Sequence, residues 1–330
     1  MKKIIKTLCI VLGSIIGAIA LVLLSAHLVT PLVYSEFFSA AEAKYEIPGM
    51  SDGFIQQGYT YFEGKNVFLH SGYMKDDTAS RIYIIDANDT SKVKYVSLAT
   101  ADGEAYDAHS GGIAAYGDTV WLAKSSGKDC LWKIDAAELL ASENGDTFVL
   151  NDPFYVDCNA SFCHADENYV WVGEFMDKGE GSDYEFNTSD GTVNAGLLLA
   201  YDRENAEKLD EATPQKVFSI GDTVQGMTTF DDMIVLVTSS GINTSHLYFY
   251  TQPSDDGLDD SATIDGNILS ISILDSNDLL LDVSMQPMAE EIAVNDGKIY
   301  VSFESASQKY IFGNFTRGRH VYAYVPQLEE

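Results

Sequence analysis

The sequence predicts an all-β fold, a β-propeller, on three observations. One short pattern recurs five times between residues 54 and 325: an apolar strand, a polar turn, and a second strand ending in aromatic or β-branched residues. A third strand follows each repeat, and a spacing of roughly 50 to 65 residues is that of propeller blades, whose sheet faces are buried against their neighbours. Helical periodicity outside the N-terminus is confined to short stretches, the best from Ala136 to Ser142, which argues against a parallel α/β sheet. Five blades are expected, with six as the alternative.

Lys2, Lys3 and Lys6 precede an apolar run from about Leu8 to Val33. A bilayer's hydrocarbon needs roughly 20 apolar helical residues, so residues 1–33 read as a basic stub and a single-pass transmembrane signal anchor. Lysines on that flank favour an inside N-terminus and an extracellular propeller. The alternative is a secreted chain, cleaved at the A-x-A-like site Ala41-Glu42-Ala43, which stands far beyond the apolar core. Residues 34–52 form a linker, and a strand before Gly53 is expected to close the ring, because an open sheet edge invites aggregation. The propeller occupies residues 53–330.

The second strands align at Val67-Phe68-Leu69, Val120-Trp121-Leu122, Val170-Trp171-Val172, Val235-Leu236-Val237 and Ile299-Tyr300-Val301. Each follows a turn of Gly, Asp, Asn or Glu, residues suited to the tight geometry of a hairpin. Third strands are expected at Arg81–Ile85, Leu131–Ile134, Leu197–Tyr201, His246–Tyr250 and His320–Tyr324. Fourth-strand candidates are Val93–Leu98, Lys216–Ile220 and Ile268–Ile273.

A chain of 330 residues, 46% hydrophobic, fills a single propeller without a second domain, and a monomer is expected. Fifty acidic residues against 20 basic ones give a formal net charge of −30, which excludes nucleic acid as a partner and makes anionic-lipid surfaces poor ones wherever no basic patch compensates. The acids are spread through turns and read as a solvated surface; cation binding is the functional alternative. Acidic segments at residues 177–190 and 255–260 read as loops over the propeller faces. Cys130, Cys158 and Cys163 match no zinc spacing and read as structural thiols, or as one disulfide with a thiol left over.

The residues that begin each inner strand should meet at one mouth of the central channel. Alignment back from the turns puts Gln56-Gln57-Gly58, His109-Ser110-Gly111-Gly112, Asn159-Ala160-Ser161, Gln225-Gly226 and Glu290-Glu291 in equivalent places. A strand buried between blades begins apolar unless its side chains meet water, a ligand or an ion. The expected ligand contacts are therefore Gln57, His109, Ser110, Gln225 and Glu290, with Tyr73 and Glu304 from the exits of second strands, where Glu174 also stands. Oxygen donors of this kind suit Ca²⁺, with Glu290 and Asn159 as ligands, and His109 is placed to act as a general base.

The Gln57-Gly58, His109-Ser110-Gly111-Gly112-Ile113, Gln225-Gly226-Met227 and Met288-Ala289-Glu290 set, with Ser71-Gly72-Tyr73 and Phe303-Glu304-Ser305-Ala306, resembles a group of bacterial secreted or membrane-anchored propellers that lack an assigned activity. More remotely the architecture is similar to the gluconolactonase and strictosidine-synthase-like propellers. That resemblance implies a central metal held by a Glu/Asn/Asp set and, for the former, lactone hydrolysis. Those families have six blades, and Glu290 and Asn159 are the matching positions here. Two functions are thus expected. The first is an anchored extracellular module binding a small polar ligand or cell-envelope component; the alternative is a metal-dependent hydrolase of lactonase or esterase type.

Overall fold

Five strands, one from each repeat, stand around a common axis: Phe54–Phe62, Ile113–Tyr116, Phe162–Ala165, Val224–Phe230 and Ala289–Asn295. Each contacts the next and the last contacts the first, so the propeller closes with five blades. The computed structural model describes residues 2–124, 129–177, 184–252, 260–264, 266–310 and 316–328.

Second strands follow at Val67–Met74, Thr119–Lys124, Tyr169–Gly173, Met233–Thr238 and Lys298–Phe303, and third strands at Arg81–Asp86, Cys130–Asp135, Gly196–Asp202, Ser245–Thr251 and His320–Tyr324. The turn residues explain the hairpins. Asn66, Gly117, Asp231, Asp296 and Gly297 all take positive φ, between 50° and 67°. In blade 3 the Asp166 carboxylate does the work instead, accepting from the amides of Asn168 and Tyr169 at 2.8 and 2.9 Å.

Second strands read as unbroken apolar runs because both of their faces are buried. Val120 and Leu122 pack toward blade 1 and Trp121 toward blade 3; each of the four large apolar clusters joins neighbouring blades in this way. Around the axis the space is tighter still. A Cβ on Gly58 would lie 2.6 Å from the Ile113 amide, and one on Gly112 2.4 Å from the Cys163 amide. The glycines at the inner-strand starts therefore serve contact between blade backbones.

The outer strands carry one correction. Val93–Thr100, Pro153–Tyr155, Lys216–Ile220 and Leu279–Met285 complete blades 1 to 4. The Ile268–Ile273 segment is not a fourth strand of blade 4. It lies within Asn267–Ile273, which forms a hairpin with Asp260–Ile264 and runs parallel to the outer strand of blade 3, Phe218 opposite Ser272. Its alternation is that of any edge strand, and only the tertiary partner decides which blade receives it. Short helices sit at Ala136–Ala141 and Arg203–Lys208, capped by the carboxylates of Asp135 and Asp202.

Blade 5 receives its outermost strand from the other end of the chain: Ala41–Glu46 pairs antiparallel with His320–Tyr324. A helix over Lys2–Val33 leads into it through a second helix, Ser35–Ala40, with only Tyr34 between them. Ile5–Val33 is long and apolar enough to cross a membrane. Phe37 of the short helix is fully buried and stacks on Tyr324, ring centroids 5.6 Å apart. Cys130, Cys158 and Cys163 are buried thiols outside any disulfide. Burial pushes those of Cys158 and Cys163 well above the ordinary range.

Candidate functional site at the channel mouth

Three inner strands carry a register slip at the same level: between Gln56 and Tyr59, between Val224 and Gly226, and between Ala289 and Ile292. A bulge re-aims the side chains around it, and Gln57, Gln225 and Glu290 lie within these three. In blades 1 and 5 the result is a contact across the seam. The Gln57 Nε2 donates to Glu304 Oε2 at 3.1 Å and lies 3.4 Å from Glu290 Oε2. Glu290, from the first strand of blade 5, and Glu304, just past the end of its second, are hydrogen-bonded to each other.

The loop that follows Glu304 supplies two further groups. The Lys309 ammonium donates to the Tyr73 hydroxyl and lies 4.9 Å from the centre of the Tyr73 ring and 5.3 Å from that of Tyr310. The Tyr73 ring in turn stacks on His109, centroids 4.5 Å apart and planes within 5°. Blades 1, 2 and 5 thus contribute to one polar cluster.

Burial sets the charge states. Glu290 is 4% exposed, and loss of water followed by the nearby Glu304 charge holds its carboxyl well above the usual range. Glu304 is pushed up to about 7, again chiefly by burial, with hydrogen bonds from Glu290 and Tyr310 and the Lys309 charge restraining the rise. Near neutral pH the two carboxyls therefore hold at least one proton between them. His109 is exposed at its edge, but the ring face covered by Tyr73 and then the Lys309 charge lower its pKa, so it is neutral at pH 7.

Glu291 does something different from its neighbour. Fully buried, its Oε1 accepts the amides of Met227 at 3.0 Å and Ile292 at 3.2 Å, pinning blade 5 to blade 4. Burial holds this carboxyl well above the usual range. Glu174 has a similar duty, accepting from the amides of Asn159 at 2.9 Å and Leu197 at 3.0 Å. A buried chain, Gln56 Oε1 to His70 Nδ1 at 2.6 Å and His70 Nε2 to the Tyr45 hydroxyl at 3.0 Å, links blade 1 to the closing strand. Burial lowers His70 to about 3, so this imidazole stays neutral.

Of the residues singled out from the sequence, Gln57, Tyr73, His109, Glu290 and Glu304 join the cluster. Ser110 does not present its side chain there: it is buried at φ 52°, and its carbonyl accepts from Ser71 Oγ at 2.9 Å. Gln225 donates to the Ser239 carbonyl at 3.3 Å within blade 4. Asn159 is exposed on blade 3, and no hydrogen bond joins it to Glu290 among the described residues. Residues 178–183 and 255–259 of the acidic loops noted above lie outside the described residues. Lys309 and Tyr310 escaped the sequence reading because they belong to a loop with no counterpart in the other repeats; a lysine between a small polar stretch and an aromatic one was their only signal.

The central metal implied by the lactonase-like resemblance can be tested against these donors. Glu290 and Glu304 are spent on each other and on the amide NH₂ of Gln57, and Lys309 already supplies a positive charge. Among the described residues no three His, Cys, Asp or Glu side chains converge as a metal site. The set does not fit a divalent cation.

At the opposite mouth a cavity of about 840 Å³ is lined by all five blades, with His164 and Thr229 inside it, Nε2 to Oγ1 at 3.2 Å. Burial lowers His164 to about 4.

No family model matches the chain, and no curated protein matches it. Solved structures do. BamB from Moraxella catarrhalis aligns at 13% identity and a TM-score of 0.35, over 82% of this chain and 85% of that one. The tail fibre of Staphylococcus aureus phage P68 aligns at 10% identity and a TM-score of 0.44, over 87% of this chain and 53% of that one, so this chain spans about half its length. An acylaminoacyl peptidase from Pyrococcus horikoshii aligns at 10% identity and a TM-score of 0.34, over 79% and 44%. Likeness at this level carries no functional argument.

Proposed function

We infer that the chain is a membrane-anchored propeller, held on the extracellular side, that binds a small polar ligand at the mouth built by Gln57, Tyr73, His109, Glu290, Glu304 and Lys309. The observation that carries this reading is the buried Glu290–Glu304 pair beside Lys309. Carboxyls so placed are costly unless their donors and acceptors have a use. A protonated Glu290, the Lys309 ammonium and the tyrosine hydroxyls favour a ligand rich in hydroxyls or bearing a carboxylate, and the Tyr73–His109 stack offers it an apolar wall. The metal-dependent hydrolase has less support, since its ligand pair stands on separate blades and His109 is engaged with Tyr73.

An uncleaved anchor is favoured over a cleaved signal by the position of Ala41-Glu42-Ala43 within the closing strand. Cleavage there would remove half of that strand and the buried Phe37. The test is the melting temperature of the full chain in detergent with a panel of sugars, sugar acids, small carboxylates and Ca²⁺. A native-state ligand raises it. A compound that stabilises the wild type and not Glu304→Gln supports the reading. A Ca²⁺ shift abolished by Glu290→Ala would restore the hydrolase, and ligands that stabilise the variant equally would remove the mouth from consideration.

A further inference from the structure

We propose that the propeller face bearing this mouth is turned to the bilayer, with the blade 4 loop at Ile242 and the Arg317–Arg319 end of the blade 5 loop resting in the phospholipid headgroup layer. This rests on the anchor reading above.

The helix and the mouth are on one side of the molecule. Inner strands begin and second strands end on that face, as Ala289 opposite Phe303 and Phe54 opposite Met74 require. The loop from Glu304 to Arg319 that supplies Lys309 also supplies Arg317, whose Nε donates to the His27 carbonyl of the long helix at 3.1 Å. On the neighbouring blade, Thr244 Oγ1 lies 3.4 Å from the Tyr34 hydroxyl. The helix thus meets the propeller at the rim of the mouth.

Length then fixes the level of the lipid. The 29 residues of Ile5–Val33 extend roughly 43 Å at the rise of an α-helix, the thickness of a bilayer with its headgroups rather than of the hydrocarbon alone. Only a single residue, Tyr34, separates the helix from the packed segment Ser35–Ala40, so no long tether can lift the propeller away. Leu28, Val29, Leu32 and Val33, level with Arg317 and Thr244, remain exposed, Leu32 by 75%. Those side chains have lipid to cover them only if the bilayer reaches the rim. Ile242, in the blade 4 loop beside Thr244, is 81% exposed on the same side. Arg317 and Arg319 form a basic pair there, in a chain with a net charge of −30; Arg319 also lies 3.8 Å from the exposed Glu46 carboxylate, and both guanidinium groups have donors left for headgroup phosphates.

The experiment uses the full chain with Cys9→Ser, reconstituted in nanodiscs of phosphatidylcholine and phosphatidylglycerol. Nitroxides are attached singly through Ile242→Cys, through Glu167→Cys on the opposite face, and through Ile15→Cys in the helix. Collision with lipid-soluble oxygen and with a water-soluble nickel chelate is read at each. The expected result is that position 242 follows position 15 in favouring oxygen, while position 167 favours the chelate, and that Arg317→Glu with Arg319→Glu returns position 242 toward chelate access. Lipid-like behaviour at 15 with water-like behaviour at 242 overturns the docking and leaves the anchor standing. Water-like behaviour at 15 overturns both.

Discussion

Gly226 and Glu291 share one space: a Cβ on Gly226 would fall 1.9 Å from Glu291 Oε1, the atom that accepts the Met227 amide. The inner strands of blades 4 and 5 touch only because one carries a glycine and the other a buried carboxyl that bonds across the gap. Gly226→Ala is therefore expected to destabilise the fold by about 1–3 kcal/mol, the range for overpacking a core. Denaturant unfolding of Gly226→Ala, Glu291→Ala and the double variant measures it. A cost for Gly226→Ala that is equal with and without Glu291 would refute the contact.

The mouth should make stability pH-dependent. Glu304 is raised in the folded state to about 7 from an ordinary 4.5, so the folded chain binds more protons than the unfolded chain between those values. Its contribution is fully present below about 4.5 and is lost as pH rises toward 7. The melting temperature should fall across that window, and Glu304→Gln should flatten this part of the slope.

Removing the Lys309 charge tests the electrostatics of the cluster from two sides. Lys309 lowers both Glu304 and His109, so Lys309→Met should raise both pKa values. Titration of the His109 ring by NMR reads one of them directly. A His109 pKa that stays put in the variant would mean that the ammonium does not act on the stack.

Ring closure depends on the segment before residue 47. Phe37→Ala removes a fully buried ring stacked on Tyr324 and is expected to cost roughly 3–5 kcal/mol. A soluble fragment beginning at Tyr34 keeps the closing strand, whereas one beginning at Lys44 loses half of it and should melt far lower. Equal melting temperatures for the two fragments would show that Ala41–Glu46 is dispensable.

The fold was legible because blade strands advertise themselves. Val120-Trp121-Leu122 and its four counterparts are apolar on both faces, and Asn66, Gly117 and Asp296 mark the turns between them. Polar residues at the inner-strand starts were equally visible, which is how Gln57 and Glu290 could be read as a group, with Glu304 joining from the exit of a second strand. Two things were not. Glu290 and Glu291 are identical neighbours that strand alternation sends apart, and the sequence does not show that a bulge between Ala289 and Ile292 falls on this pair, one reaching the mouth and the other the seam. Lys309 and Tyr310 reach the cluster from a loop, where no periodicity constrains a side chain's destination.

The seam between Ala41–Glu46 and His320–Tyr324 joins an early segment of the chain to a late one. During synthesis the first half of that pair emerges long before its partner exists, and until the partner arrives blade 5 keeps an open edge. Such a distant pairing makes closure a late and slow event. An anchoring helix directly upstream would hold the waiting half in place near the point where the rest of the chain appears, which confines the search to a small volume and shortens the time the unsealed ring is exposed to other chains.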